Sequence, residues 1–124
     1  MIKWFEKHNK ISWIITLIIA FIIFYLSSKT FEGTPTGPSY LSYVYHFSAF
    51  FFLSLFLLIS ITKGKAYSLF LIAIFIGIIY GISDEIHQFF VPGRSCNIID
   101  VLTDSIGVLV SGILYLFRIK NKVY

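Results

Sequence analysis

The chain has 124 residues, of which 57% are hydrophobic and only 13% charged, with a mean hydropathy of +0.85. A soluble domain carries roughly a quarter charged residues, so this composition leaves too little polar surface to coat a water-soluble globule. A soluble enzyme, a nucleic-acid binder and a disordered tail are excluded, and the net charge of +4 must be read as membrane patterning. A single cysteine, Cys96, allows no internal disulfide and no thiolate metal cluster.

Four apolar stretches follow one another. They cover residues 11–28, 40–62, 66–90 and 98–117, each close to the ~20 residues that cross a hydrocarbon core. Backbone groups in lipid must bond within their own segment, and these lengths suit helices rather than barrel strands. The expected fold is an all-α membrane protein, a four-transmembrane-helix bundle forming a single domain over residues 1–124. The first span reads as a retained anchor: it is long for a signal peptide and ends in Phe24-Tyr25-Leu26-Ser27-Ser28, without a small-x-small cleavage site.

Basic residues cluster between the spans. Lys3, Lys7 and Lys10 precede the first, Lys63 and Lys65 join the second to the third, and Arg118, Lys120 and Lys122 follow the fourth. The other two loops hold only Lys29 and Arg94. The positive-inside rule therefore puts both termini in the cytoplasm. The loop Glu32-Gly33-Thr34-Pro35-Thr36-Gly37-Pro38 reads as irregular turn chemistry, and Lys63-Gly64-Lys65 is short enough to force a tight antiparallel hairpin. Trp4, Trp13, Tyr40 and Tyr43 read as interfacial anchors, and His8 as solvated.

The remaining chemistry gathers near the ends that carry few lysines. Span three closes with Ser83-Asp84-Glu85-Ile86-His87-Gln88, where Asp84, His87 and Gln88 share a helical face by the i, i+3, i+4 rule. Gly77, Tyr80 and Gly81 lie below them on that face. Pro92 blocks the helix and Gly93 permits a positive φ, so a sharp turn brings Arg94 back over the helix ends. Asn97 reads as the cap of span four, with Asp100 in its first turn. Asp104 falls about 9 Å below the helix start at 1.5 Å per residue. An acid at that depth is a functional candidate by default, and His46 in span two lies at a similar depth.

Asp84, Glu85, Asp100 and Asp104 thus converge with Arg94 as their only fixed positive charge. Several carboxylates near a low-dielectric medium cannot all ionise without a counter-ion. Either some stay protonated or a cation completes the site: a divalent metal, with Glu85, Asp100, Asp104 and His46 as candidate ligands, or an ammonium group on a substrate. Arg94 has the fork geometry to hold a carboxylate or phosphate.

The run Asp84-Glu85-Ile86-His87-Gln88-Phe89-Phe90-Val91-Pro92-Gly93-Arg94, followed by Asp100-Val101-Leu102-Thr103-Asp104-Ser105-Ile106-Gly107, resembles the VanZ-like membrane proteins. Their pattern is Asp-Glu, Gln three residues later, Pro-Gly-Arg, then Asp-x-x-x-Asn/Asp-x-x-Gly. His46-Phe47 with Phe50 resembles the family's His-Phe motif in the second span. Many members carry Asp-Lys shortly before that histidine, where this chain has Ser42-Tyr43. The resemblance implies a role at the bacterial cell envelope, in the cytoplasmic membrane, and an association with resistance to the lipoglycopeptide teicoplanin. It assigns the site to Asp84, Glu85, Gln88, Arg94, Asp100 and Asp104, with His46 and His87 beside them.

The leading functional expectation is a binding protein whose outward polar site takes an amphiphilic envelope ligand. That ligand would be a phospholipid, a lipid-linked cell-wall precursor or a lipoglycopeptide. No His-Glu-x-x-His pattern or nucleophile elbow points to catalysis. An intramembrane enzyme using a metal, or Glu85 or Asp104 as general acid or base, is the alternative, as is a small lipid transporter or flippase. The small-residue faces Gly77/Gly81 and Gly107/Ser111 serve packing inside the chain or in a homodimer.

Overall fold

The computed structural model describes residues 1–30, 40–64, 67–94 and 96–120. A short helix α1 (Ile2–Lys7) precedes four long ones: α2 (Asn9–Ser27), α3 (Tyr40–Thr62), α4 (Phe70–Phe89) and α5 (Ile98–Lys120), with a 3-10 turn at Tyr67–Leu69 leading into α4. The four long helices are each long and apolar enough to cross a membrane, and the chain is a multi-pass membrane protein. The expected irregular loop at residues 32–38, together with Lys65, Ser95 and Lys122, lies outside the described residues.

Helix bounds differ from the hydropathy reading at three places. The first span begins at Asn9 and is preceded by α1, because Asn9 is held against α3 through the Ser60 carbonyl while Lys10 is exposed at the helix end. The third begins as a 3-10 turn and becomes α-helical only at Phe70. The fourth continues past Phe117 to Lys120, its closing Arg118 and Lys120 complementing the helix dipole.

The surface is apolar and much of the interior is polar. Leu71 and Phe21 are 73% and 67% exposed, while Ser12, Ser54 and Ser111 are fully buried. Lipid tails offer no less apolar an environment than leucine, so small residues and internal hydrogen bonds hold such bundles together. Several helix hydroxyls are satisfied by carbonyls one turn back: Thr16 donates to Ser12 at 2.9 Å, Thr62 to Leu58 at 2.8 Å and Thr103 to Ile99 at 2.8 Å. Between helices, Tyr80 Oη donates to the Ala20 carbonyl at 2.6 Å, and Asn9 Nδ2 donates to the Ser60 carbonyl.

Helix α3 is the central element, packed against α2, α4 and, most extensively, α5. The last contact is set by Gly107. A Cβ there would lie 2.6 Å from the Phe47 carbonyl oxygen and 3.1 Å from the Phe51 nitrogen. Only glycine lets the two backbones come this close. Gly77, Gly81, Gly107 and Ser111 are all buried within the bundle, so both small-residue faces are used inside the chain. Antiparallel connection then collects the α2, α4 and α5 ends that carry Ser27, Asp84 and Asn97 at one end, opposite α1.

Candidate functional site

Because Gly107 seats α5 on α3, the side chains one turn above it meet. His46, 4% exposed, and Asp104, 1% exposed, pair through Nδ1 and Oδ1 at 2.9 Å. Helix α4 approaches the same point through Gly81, where an added Cβ would lie 3.2 Å from Asp104 Cβ. Asp104 is therefore enclosed by three helices.

Helix α4 also delivers Asp84, Glu85 and Gln88, all buried. Gln88 Nε2 donates to Asp84 Oδ2 at 2.9 Å and to Glu85 Oε1 at 3.2 Å. Ser27 Oγ of α2 donates to Asp84 Oδ1. The backbone N–H of Asn97 donates to Glu85 Oε2 at 3.0 Å. His87 departs from the expected shared face. It lies at the flank, where its Nε2 and Ser28 Oγ are 2.9 Å apart and its ring stacks on Phe24 with centroids 4.7 Å apart. Successive helical residues turn by about 100°, so an inward arc spanning Asp84, Gln88 and Glu85 leaves His87 pointing at α2.

The corner after α4 follows its sequence. Arg94 N donates to the Val91 carbonyl at 3.1 Å, and Gly93 at the third turn position has φ +78°. With Pro92 at the second position this is the type II arrangement, which requires a positive φ at the third. Beyond it, Asn97 Oδ1 accepts from the Ile99 N–H at 3.0 Å, capping α5 as expected. Asp100, 7% exposed, interacts electrostatically with both His46 and Arg94. Lys29, the other basic residue at this end, sits over the Tyr25 ring, 4.5 Å from its centroid.

The polar atoms do not all balance. Asp104 Oδ2 and Asp100 Oδ1 are buried with no hydrogen-bond partner among the described residues. Such orphaned atoms are expensive in a medium of low dielectric. Of the four candidate metal ligands, His46, Glu85 and Asp104 each offer a donor atom, and these lie within 4.8 Å of one another. Asp100 stands outside that group. The arrangement can hold a cation at the triad, with Arg94 acting electrostatically on the neighbouring Asp100.

A second polar cluster occupies the opposite end and carried no expectation from the sequence. Glu6 of α1 is buried, accepting from Tyr115 Oη at 3.3 Å and lying 3.9 Å from Arg118 Nη2. Tyr115 Oη also lies 2.9 Å from Thr62 Oγ1. The signal for it was the spacing Ile2, Phe5, Glu6, Asn9, an inward stripe hidden among lysines. His8, expected in solvent, is half-buried with its Nδ1 2.8 Å from the Trp4 carbonyl and its ring stacked on Trp4. A shallow recess beside Met1, Lys3 and Arg118 lies at this end, away from the acids.

The sequence pattern of the VanZ/LLP1 family matches residues 9–119, and the chain belongs to that family. The match takes in every residue of the acidic cluster. No curated protein and no solved structure matches the chain.

Proposed function

From membership of the VanZ/LLP1 family and the polar cluster at one end of the bundle, we propose an envelope-binding role. The protein binds the polar headgroup of an amphiphilic envelope molecule from within a bacterial cytoplasmic membrane. The single observation that carries this reading is the burial of Asp84, Glu85, Asp100 and Asp104 beside the corner that holds Arg94.

Two further features support it. Phe89 and Phe90, 68% and 75% exposed, flank the corner and suit the acyl portion of such a molecule. The basic residues at the other end, Lys3, Lys7, Lys10, Lys63, Arg118 and Lys120, favour cytoplasmic termini and hence an outward-facing cluster. Arg94 matches a phosphate or carboxylate, so the ligand class is a phospholipid, a lipid-linked cell-wall precursor or a lipoglycopeptide. A contribution to teicoplanin-type resistance follows from the last of these.

The test is expression in a susceptible host, with teicoplanin and vancomycin sensitivity measured beside Arg94→Ala and Asp104→Ala. Loss of protection in both variants at equal membrane abundance supports the reading. Protection unchanged in both removes it.

A further inference from the structure

We infer that His46, Glu85 and Asp104 form a binding site for one divalent transition-metal ion, of the Zn2+ or Mn2+ type, set between α3, α4 and α5. This goes beyond headgroup binding and stands on its own geometry.

Three observations support it. The donor atoms of the three residues come from three different helices and lie within 4.8 Å of one another. They are 4%, 1% and 1% exposed. Ligands of a single ion at about 2.0–2.2 Å are separated by less than this, so side-chain rotation within the existing packing closes the set.

Second, Asp104 Oδ2 is buried without a hydrogen-bond partner among the described residues, although Oδ1 is held by His46. An unpaired carboxylate oxygen at this depth is costly. A metal ion supplies the missing partner.

The third observation is the charge balance. Glu85, Asp100, Asp104 and Asp84 all act electrostatically on this region. As a metal ligand His46 is neutral, so the fixed positive charge acting here is Arg94, on Asp100. A divalent cation offsets two more.

One imidazole with two carboxylates selects the ion class. Imidazole favours Zn2+ and its neighbours, carboxylates favour Mn2+ and Mg2+, and the mixture fits a transition metal better than Ca2+. The hydrogen bonds from Asn97 N–H and Gln88 Nε2 to Glu85 then orient a ligand, as outer partners do at metal centres.

The experiment uses the full chain purified in detergent, dialysed first against chelator and then against Zn2+ or Mn2+. Bound metal is counted by elemental analysis, and Mn2+ binding is followed by loss of the free-ion paramagnetic signal. We expect about one ion per chain and a rise in thermal midpoint on metal addition. Glu85→Gln and Asp104→Asn should each weaken binding more than tenfold, while His8→Ala at the far end retains it. Wild-type protein that holds no stoichiometric ion, or an affinity unchanged in both carboxamide variants, overturns the site. If those variants fail to fold, absence of a metal-dependent thermal shift in the wild type overturns it equally. No envelope ligand is present in these measurements, so failure here leaves headgroup binding standing, and protection unchanged in the Arg94 and Asp104 variants leaves the metal site standing.

Discussion

The backbone N–H of Asn97 donates to Glu85 Oε2 at 3.0 Å, so the residue that caps α5 is pinned by a carboxylate buried on α4. Asn97 is simultaneously committed through Oδ1 to the Ile99 N–H. The corner that carries Arg94 is thus tied at both sides, by the Val91 turn and by Glu85. Arg94 is positioned by a frame rather than by a loose loop.

Removing that pin should loosen the corner. In Glu85→Ala the Asn97 N–H loses its acceptor, which costs about 1–3 kcal/mol when the group stays buried. We expect faster amide exchange at Asn97 and a lower thermal midpoint in detergent, with Glu85→Gln intermediate because it keeps one carbonyl acceptor. Unchanged Asn97 exchange in the alanine variant would show that the bond does not hold the corner.

Gly107→Ala tests the contact on which the His46–Asp104 pair depends. The new methyl would meet the Phe47 carbonyl oxygen at 2.6 Å, and backbone cannot yield as a flexible side chain can. Overpacking of this kind costs about 1–3 kcal/mol. Reversible unfolding in mixed micelles should register the loss, and a variant as stable as the wild type would contradict the close α3–α5 approach.

A double-mutant cycle measures the His46–Asp104 pair itself. In metal-free buffer, His46→Ala and Asp104→Ala should be non-additive by about 0.6–1.7 kcal/mol, the range for hydrogen-bonded partners inside membrane bundles. Additivity to within about 0.3 kcal/mol would mean that the 2.9 Å contact contributes no coupling.

Sidedness can be read without engineering a probe. Cys96 is exposed beside the corner and is the one cysteine in the chain. A membrane-impermeant maleimide added to intact cells should label it. Labelling that appears only after permeabilisation would place the acidic end in the cytoplasm and reverse the proposed orientation.

Much of the framework was legible residue by residue. The spans, the Pro92-Gly93 corner and the Asn97 cap each depend on local chemistry. Respectively, these are the length of an apolar run, a φ that Pro fixes or Gly permits, and a side-chain oxygen next to a helix start. The acids of the cluster were also legible as a group, because ionisable residues in apolar surroundings stand out by composition alone. Less was visible where a residue's role depended on its neighbours. Periodicity grouped Asp84, His87 and Gln88, yet Glu85 turns inward and His87 turns to Ser28 and Phe24. Glu6 lay among lysines and drew no expectation, whereas Tyr115 and Arg118 draw it inside.

The amino-acid order by itself determined that this chain crosses a membrane as four helices, that a corner at Pro92-Gly93 and a cap at Asn97 join the last two, and which residue types gather at their ends. Those properties arise from transfer energies and backbone torsions that each short segment carries with it. Only the tertiary structure decided that His46, Glu85 and Asp104 would face one another. Their separation depends on how closely three helices approach, and that distance is set by Gly107 against the backbone of Phe47 and by Gly81 against Asp104.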